Sequence, residues 1–180
     1  VFGHPLKEGD SLFNALSIIK GGKLLATYRK QCLPNYLVFD ERRYFDAGSE
    51  PLVMEIAGSN IAFNICEDMW ESAPIELVKS HCADLLININ ASPFSINKLS
   101  ERQRLLKQQS IKGGFPIIYV NLVGGQDDGG KGFRWPMGWV WVWCCQGLEW
   151  FGSNWGPRSI LKGQGCGQAT GGGGGQAQRR

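Results

Sequence analysis

The chain has 180 residues and a formal net charge of +3, and it is long enough for one domain with its own core. No segment is apolar for the length a bilayer crossing needs, and no basic-then-apolar leader opens the chain, so a cytoplasmic protein without a membrane or nucleic-acid partner is expected. The six cysteines lack the short paired spacing of a zinc site and the density of a disulfide-stapled domain, and only His4 and His81 accompany them, so reduced thiols and no metal are expected.

In chain order, Leu12 to Ile19 and Lys23 to Tyr28 are apolar-rich segments joined by Gly21-Gly22, the pattern of an antiparallel hairpin. Leu52 to Ile56 and Asn60 to Ile65 repeat it around Gly58-Ser59, and the second strand delivers Cys66 at its end. Beyond Pro74, Ile75 to Ser80 can begin a short helix. Ala83 to Asn90 reads as a buried strand, Lys98 to Lys112 as a charged amphipathic helix, and Phe115 to Asn121 as another apolar strand. That alternation predicts a parallel sheet segment covered by helices, so hairpins and crossovers together give an α/β sandwich. Reactive groups in such folds collect at the carboxyl ends of strands.

Composition changes near Asp128: residues 1 to 128 carry 13 basic and 15 acidic side chains, and residues 129 to 180 carry 6 and 1. The second segment also holds 15 of the 25 glycines and six of the seven tryptophans. Two regions are therefore expected, a globular unit over 1–128 and a low-complexity tail over 129–180.

Taken singly, the polar residues that follow are ordinary. Cys66 is a small hydrophobe at a strand end, Lys30 a solvated charge, and Glu41 a surface carboxylate; Tyr36 is a loop aromatic, Ser92 a turn hydroxyl and Lys98 a helix-start cation. Their order and spacing change that reading. Tyr28-Arg29-Lys30-Gln31-Cys32-Leu33-Pro34-Asn35-Tyr36, then Phe39-Asp40-Glu41-Arg42-Arg43-Tyr44-Phe45, then Ile65-Cys66-Glu67-Asp68-Met69-Trp70 resembles the nitrilase superfamily. Asn90-Ala91-Ser92-Pro93-Phe94, Lys98, Arg102 and Gly124-Gly125-Gln126-Asp127 look like its branch fused to NAD synthetase, over about residues 3 to 128.

The resemblance implies a four-layer αββα sandwich with a Glu-Lys-Cys triad, here incomplete, with N-terminal strands and helices missing and an irregular C-terminal tail. Cys66 takes the position of the nucleophile and Lys30 that of its cationic partner; Glu41 matches a second glutamate that orients the lysine. The family's general-base glutamate lies upstream of Gly3-His4-Pro5, hence before residue 1. Tyr36, Glu67, Ser92 and Lys98 match positions that select glutamine. The implied activity is hydrolysis of the glutamine amide through a cysteine thioester. The ammonia passes to a synthetase domain that uses ATP and Mg to amidate deamido-NAD; no cofactor belongs to the glutamine-hydrolysing domain itself. The synthetase domain's Ser-Gly-Gly-x-Asp-Ser loop is absent from the sequence, and the sequence pattern predicts neither a strand before the glycine run 171 to 175 nor a helix after it. A homo-oligomer is expected of the full-length enzyme. The other readings are a free-standing amidase or carbamoylase, or a catalytically inactive nitrilase-like fragment.

In the family, Gly-Gly-Gln-Asp is followed by a strand containing Val-Phe-Asp-Gly, where this chain has Gly132-Phe133-Arg134-Trp135. A one-base shift converts one encoding of the latter into the former. Residues 129–180 are therefore expected to be out-of-frame translation and poorly packed.

Overall fold

A computed structural model describes residues 1–36, 39–92 and 98–122 with their side chains, and four further strand backbones at 125–128, 131–134, 140–144 and 147–149. The first sheet has three antiparallel strands, β1 (Phe2–Glu8), β2 (Ser11–Lys20) and β3 (Lys23–Arg29), in sequence order. The β2–β3 hairpin turns at Gly21 and Gly22, both at positive φ, as a two-residue turn matched to strand twist requires.

The second sheet is built on β4 (Leu52–Ile56), β5 (Ser59–Ile65), β6 (Leu85–Asn90) and β7 (Ile117–Asn121). β4 and β5 form the expected antiparallel hairpin, while β5, β6 and β7 run parallel. The crossovers are α1 (Ser72–Ser80) and α2 (Lys98–Gly113), and every expected strand and helix up to residue 121 is present, with boundaries shifted by a few residues.

Strand alternation sorts the side chains of the second sheet. Ile61, Phe63 and Ile65 on β5 face the first sheet and pack with Leu16, Ile18 and Tyr28, supported by Leu85, Ile87 and Ile89. Ala62, Leu86 and Ile117 on the opposite face pack under the helices with Ile75, Val78, Leu106 and Phe115. Burying each large apolar side chain contributes about 1.5–3 kcal/mol, which holds the layers in register. The layers are helices, six-stranded sheet and three-stranded sheet, so three of the four layers of an αββα sandwich stand among the described residues.

Toward the carboxyl ends of the parallel strands the helix-facing rows turn polar. Asn64, Asn88 and Tyr119 form one row by register, and Asn90 and Asn121 pair one step further on. The buried Asn88 donates to Asn64 Oδ1 at 2.8 Å and Asn90 donates to Asn88 Oδ1 at 2.6 Å. A dry apolar core thus gives way to a hydrogen-bonded floor directly beneath the loops that leave β5 and β6.

Two features depart from expectation. β1 carries Pro5 and mostly exposed side chains, and a sequence pattern gives it no signal; as an edge strand it needs only one set of ladder bonds, which tolerates the missing N–H. Strands β8 (Gly125–Asp128), β9 (Lys131–Arg134), β10 (Val140–Cys144) and β11 (Gly147–Glu149) also occur, so part of 129–180 is regular rather than irregular. β10 pairs antiparallel with β7; its Val-Trp alternation is β-forming wherever it comes from, and β7 offers an open edge. The rest of the tail expectation lies outside the described residues, as do Pro93 and Phe94.

Candidate active site

Cys66 leaves β5 at φ +45°, in the left-handed region that non-glycine residues rarely occupy, and begins a single 3₁₀ turn over Cys66–Met69. The neighbouring Asp68 holds that turn: its carboxylate accepts the Ile65 N–H at 3.0 Å. The same carboxylate, fully buried, accepts the Tyr28 hydroxyl at 2.8 Å and the N–H groups of Gln31 and Cys32 at 3.1 and 2.7 Å. One side chain therefore ties the segment after β3, which carries Lys30, to the turn that carries Cys66. Burial pushes the Asp68 carboxyl up, and its hydrogen-bond donors and Lys30 pull it back.

Lys30 is buried to 1 % exposure, and its ammonium reaches both oxygens of Glu41, at 2.7 and 2.8 Å. Two of its three N–H donors are spent on that carboxylate, leaving one. Asn14 supports the pair twice, its carbonyl accepting the Lys30 N–H at 2.8 Å and its amide donating to Glu41 at 3.4 Å. The Lys30 charge acts on the Cys66 sulfur, which also lies 3.5 Å from the Ser92 hydroxyl.

For the Cys66 thiol, burial is the largest influence and pushes its pKa up; the Ser92 bond and Lys30 pull it down, and Glu67 and Glu41 push it up. The downward pull of Lys30 is outweighed by desolvation, and Glu41 neutralises much of the cation.

Tyr36 donates to Glu67 at 2.8 Å across the rim, and its phenol is pushed up to about 12 by burial and that bond. Lys98, at the start of α2, stands 5.3 Å over the Trp70 ring and 3.5 Å from Glu101. The geometry thus groups Lys30, Glu41, Cys66 and Ser92, sets Tyr36 and Glu67 beside them, and leaves Lys98 engaged with Trp70 and Glu101. Asp68 and Tyr28, which lie inside the quoted motifs without a role read for them, and Asn14, Tyr119 and Asn121, which lie outside them, support the site through partners from distant segments. Cys32 and Cys66 are free thiols, whereas Cys82 is disulfide-bonded, a departure from the expectation of reduced thiols. No described helix is long and apolar enough to cross a membrane.

The carbon-nitrogen hydrolase family model matches residues 1–140. The chain belongs to the carbon-nitrogen hydrolase family. Within it, the chain is 46% identical over 127 residues to a glutamine-dependent NAD(+) synthetase of Aquifex aeolicus, covering 70% of this chain and 22% of that protein. It is 41% identical over 129 residues to a protein of the same name from Xanthomonas campestris, covering 71% and 23%. This carbon-nitrogen hydrolase chain therefore spans less than a quarter of the length of those relatives. Among solved structures, the glutamine-dependent NAD+ synthetase of Acinetobacter baumannii superposes with a TM-score of 0.72 at 33% identity, over 80% of this chain and 27% of that one. An amidase of the nitrilase superfamily from Nesterenkonia AN1, at 20% identity and a TM-score of 0.67 over 84% of this chain and 56% of that one, shares the fold.

Proposed function

We propose that this carbon-nitrogen hydrolase domain hydrolyses the side-chain amide of glutamine at Cys66 and supplies the ammonia to a synthetase domain. The observation that supports it most is the convergence of a strained cysteine at a strand end with a buried, carboxylate-oriented lysine. The similarity to glutamine-dependent NAD(+) synthetases supplies the substrate.

In this reading the Cys66 thiolate attacks the amide carbon and the carbonyl electron pair moves onto oxygen. The remaining Lys30 N–H and the Glu67 backbone N–H donate to that oxyanion. Collapse breaks the carbon–nitrogen bond, nitrogen leaves with an added proton as ammonia, and a γ-glutamyl thioester remains on Cys66. Water then attacks the thioester, releasing glutamate and returning the thiol.

Thiolate formation and ammonia departure both need a proton carrier. Glu41 is held by Lys30 and Glu67 by Tyr36, so the role falls to a glutamate that the family's pattern sets upstream of Gly3-His4-Pro5. Glu67 with Tyr36 is an acceptor for the substrate's α-ammonium, Lys98 a point charge for its α-carboxylate, and Ser92 a further polar contact. The ammonia then serves ATP- and Mg-dependent amidation of deamido-NAD in the synthetase domain.

The experiment is Cys66→Ala in an enzyme that joins this domain to a synthetase domain. Glutamine-dependent NAD formation is expected to vanish while ammonia-dependent formation persists. Robust glutamine-dependent turnover in the variant would overturn the assignment.

A further inference from the structure

Ser92 follows β6 and is gripped from β7 at three points. The Asn121 side-chain oxygen accepts the Ser92 N–H at 2.9 Å, and the Asn121 amide donates to the Ser92 carbonyl at 3.4 Å. Tyr119, two residues earlier on the same face of β7, brings its hydroxyl within 3.3 Å of Ser92 Oγ. Ser92 Oγ in turn stands 3.5 Å from Cys66 Sγ. A residue that only contacts substrate would not need its backbone and its hydroxyl both fixed relative to the sulfur.

Counting protons gives the row a direction. A thiolate is only an acceptor, so once Cys66 is ionised the Ser92 O–H must donate to it. The Ser92 oxygen is then free to accept, and among the described residues the Tyr119 hydroxyl stands within reach to donate to it. Tyr119 is 2 % exposed; burial pushes its phenol up, against the pull of the Ser92 bond and Arg102, so it keeps its proton at neutral pH. With a neutral thiol the row can run either way; charge on sulfur aligns it.

We propose that Ser92 is a catalytic residue whose hydroxyl donates to the Cys66 sulfur as negative charge forms there, and that Tyr119 is the positioning residue that holds it in that orientation. This rests on the reading of Cys66 as the nucleophile, and it adds a stabilising donor to a thiolate that burial disfavours. The remaining groups that bear on the sulfur are Lys30, Glu67 and Glu41, with the Tyr36 phenol on the rim. None of them is altered by the substitutions below.

The test is the rate of Cys66 alkylation by iodoacetamide against pH in the 180-residue chain, followed by peptide mass spectrometry so that the other thiols do not interfere. Ser92→Ala is expected to lower the rate at pH 7 about tenfold by moving the midpoint upward, as loss of a hydrogen bond to a charged group does. Tyr119→Phe is expected to lower it about threefold, with Ser92→Thr, which keeps the hydroxyl, near the parent. In Ser92→Ala/Tyr119→Phe the rate is expected to match Ser92→Ala alone, since Tyr119 acts through Ser92. Circular dichroism confirms folding of each variant. An unmoved midpoint in folded Ser92→Ala, or additive effects in the double variant, overturns the proposal. Because alkylation needs no glutamine, that failure is distinct from failure of the glutamine-hydrolysis reading.

Discussion

Replacing Glu41 by glutamine should expose how the Lys30 charge is held. The Lys30 ammonium is 1 % exposed, whereas the Glu41 side chain is 21 % exposed and also takes the weaker Asn14 bond. Glu41→Gln keeps the shape and one acceptor but leaves a buried cation with no counterion, at a cost of about 3 kcal/mol. In a chain of this size that corresponds to a fall of about 6–12 °C in the melting temperature. Lys30→Met leaves a carboxylate that can still reach water, so it should cost less, about 1–2 kcal/mol. The double variant removes both charges and should sit within about 1 kcal/mol of the parent. Thermal melts followed by circular dichroism at 222 nm for the four proteins close the cycle, with an expected coupling of about 2 kcal/mol or more. Melting of Glu41→Gln within about 2 °C of the parent, or additivity within about 0.5 kcal/mol, would refute the idea that Glu41 anchors Lys30.

Four more outcomes follow from the same structure. Asp68→Ala strands the buried Ile65 N–H and Tyr28 hydroxyl and the half-buried N–H groups of Gln31 and Cys32, so urea denaturation should show a loss of about 3 kcal/mol or more, and a shift under about 1 kcal/mol would contradict the clamp. The Cys32 thiol is pushed up to about 12 from 9.0 by burial and the neighbouring Asp68, so the folded state holds its proton over a range where the unfolded chain has lost it; stability should decline as pH rises from 9 toward 12, and Cys32→Ser should flatten that decline in melts across the range. The 180-residue chain alone should release ammonia from glutamine at least about 100-fold more slowly than an enzyme with the upstream glutamate, because both carboxylates near Cys66 are held by other partners; comparable rates in a coupled ammonia assay would show another proton carrier. Sequencing the DNA across codon 128 should reveal a one-base shift restoring Val-Phe-Asp-Gly, and if neither shifted frame yields a strand-like segment the tail is a genuine extension.

The hairpins are legible because glycine turns fall between apolar-rich segments at Gly21-Gly22 and Gly58-Ser59, and the parallel crossovers because each apolar run is short and flanks a helix-period segment. Cys66 at a strand end was legible for the same reason. β1 was not, since Pro5 and exposed side chains erase the alternation that an edge strand does not require. Val140 to Cys144 shows the opposite failure, local β-forming residues inside a segment whose overall composition argues against order. The supporting shell was the least visible part. Asp68 looks like a turn carboxylate until the fold brings Tyr28, Gln31 and Cys32 to it from up to 40 residues away. Likewise Tyr119 and Asn121 read as strand residues, and only the register of β7 beside β6 sets them against Ser92. For the thiol pKa, the lysine that lowers it is visible in the sequence, and the desolvation that outweighs it is not.

Acid-quench mass spectrometry of a glutamine-hydrolysing enzyme containing this domain, sampled during turnover, tests the central claim most directly. A γ-glutamyl group on the Cys66 peptide, present with glutamine and absent with ammonia as nitrogen source, is the predicted result. The same group found on another residue, or sustained ammonia release in Cys66→Ala, would contradict it.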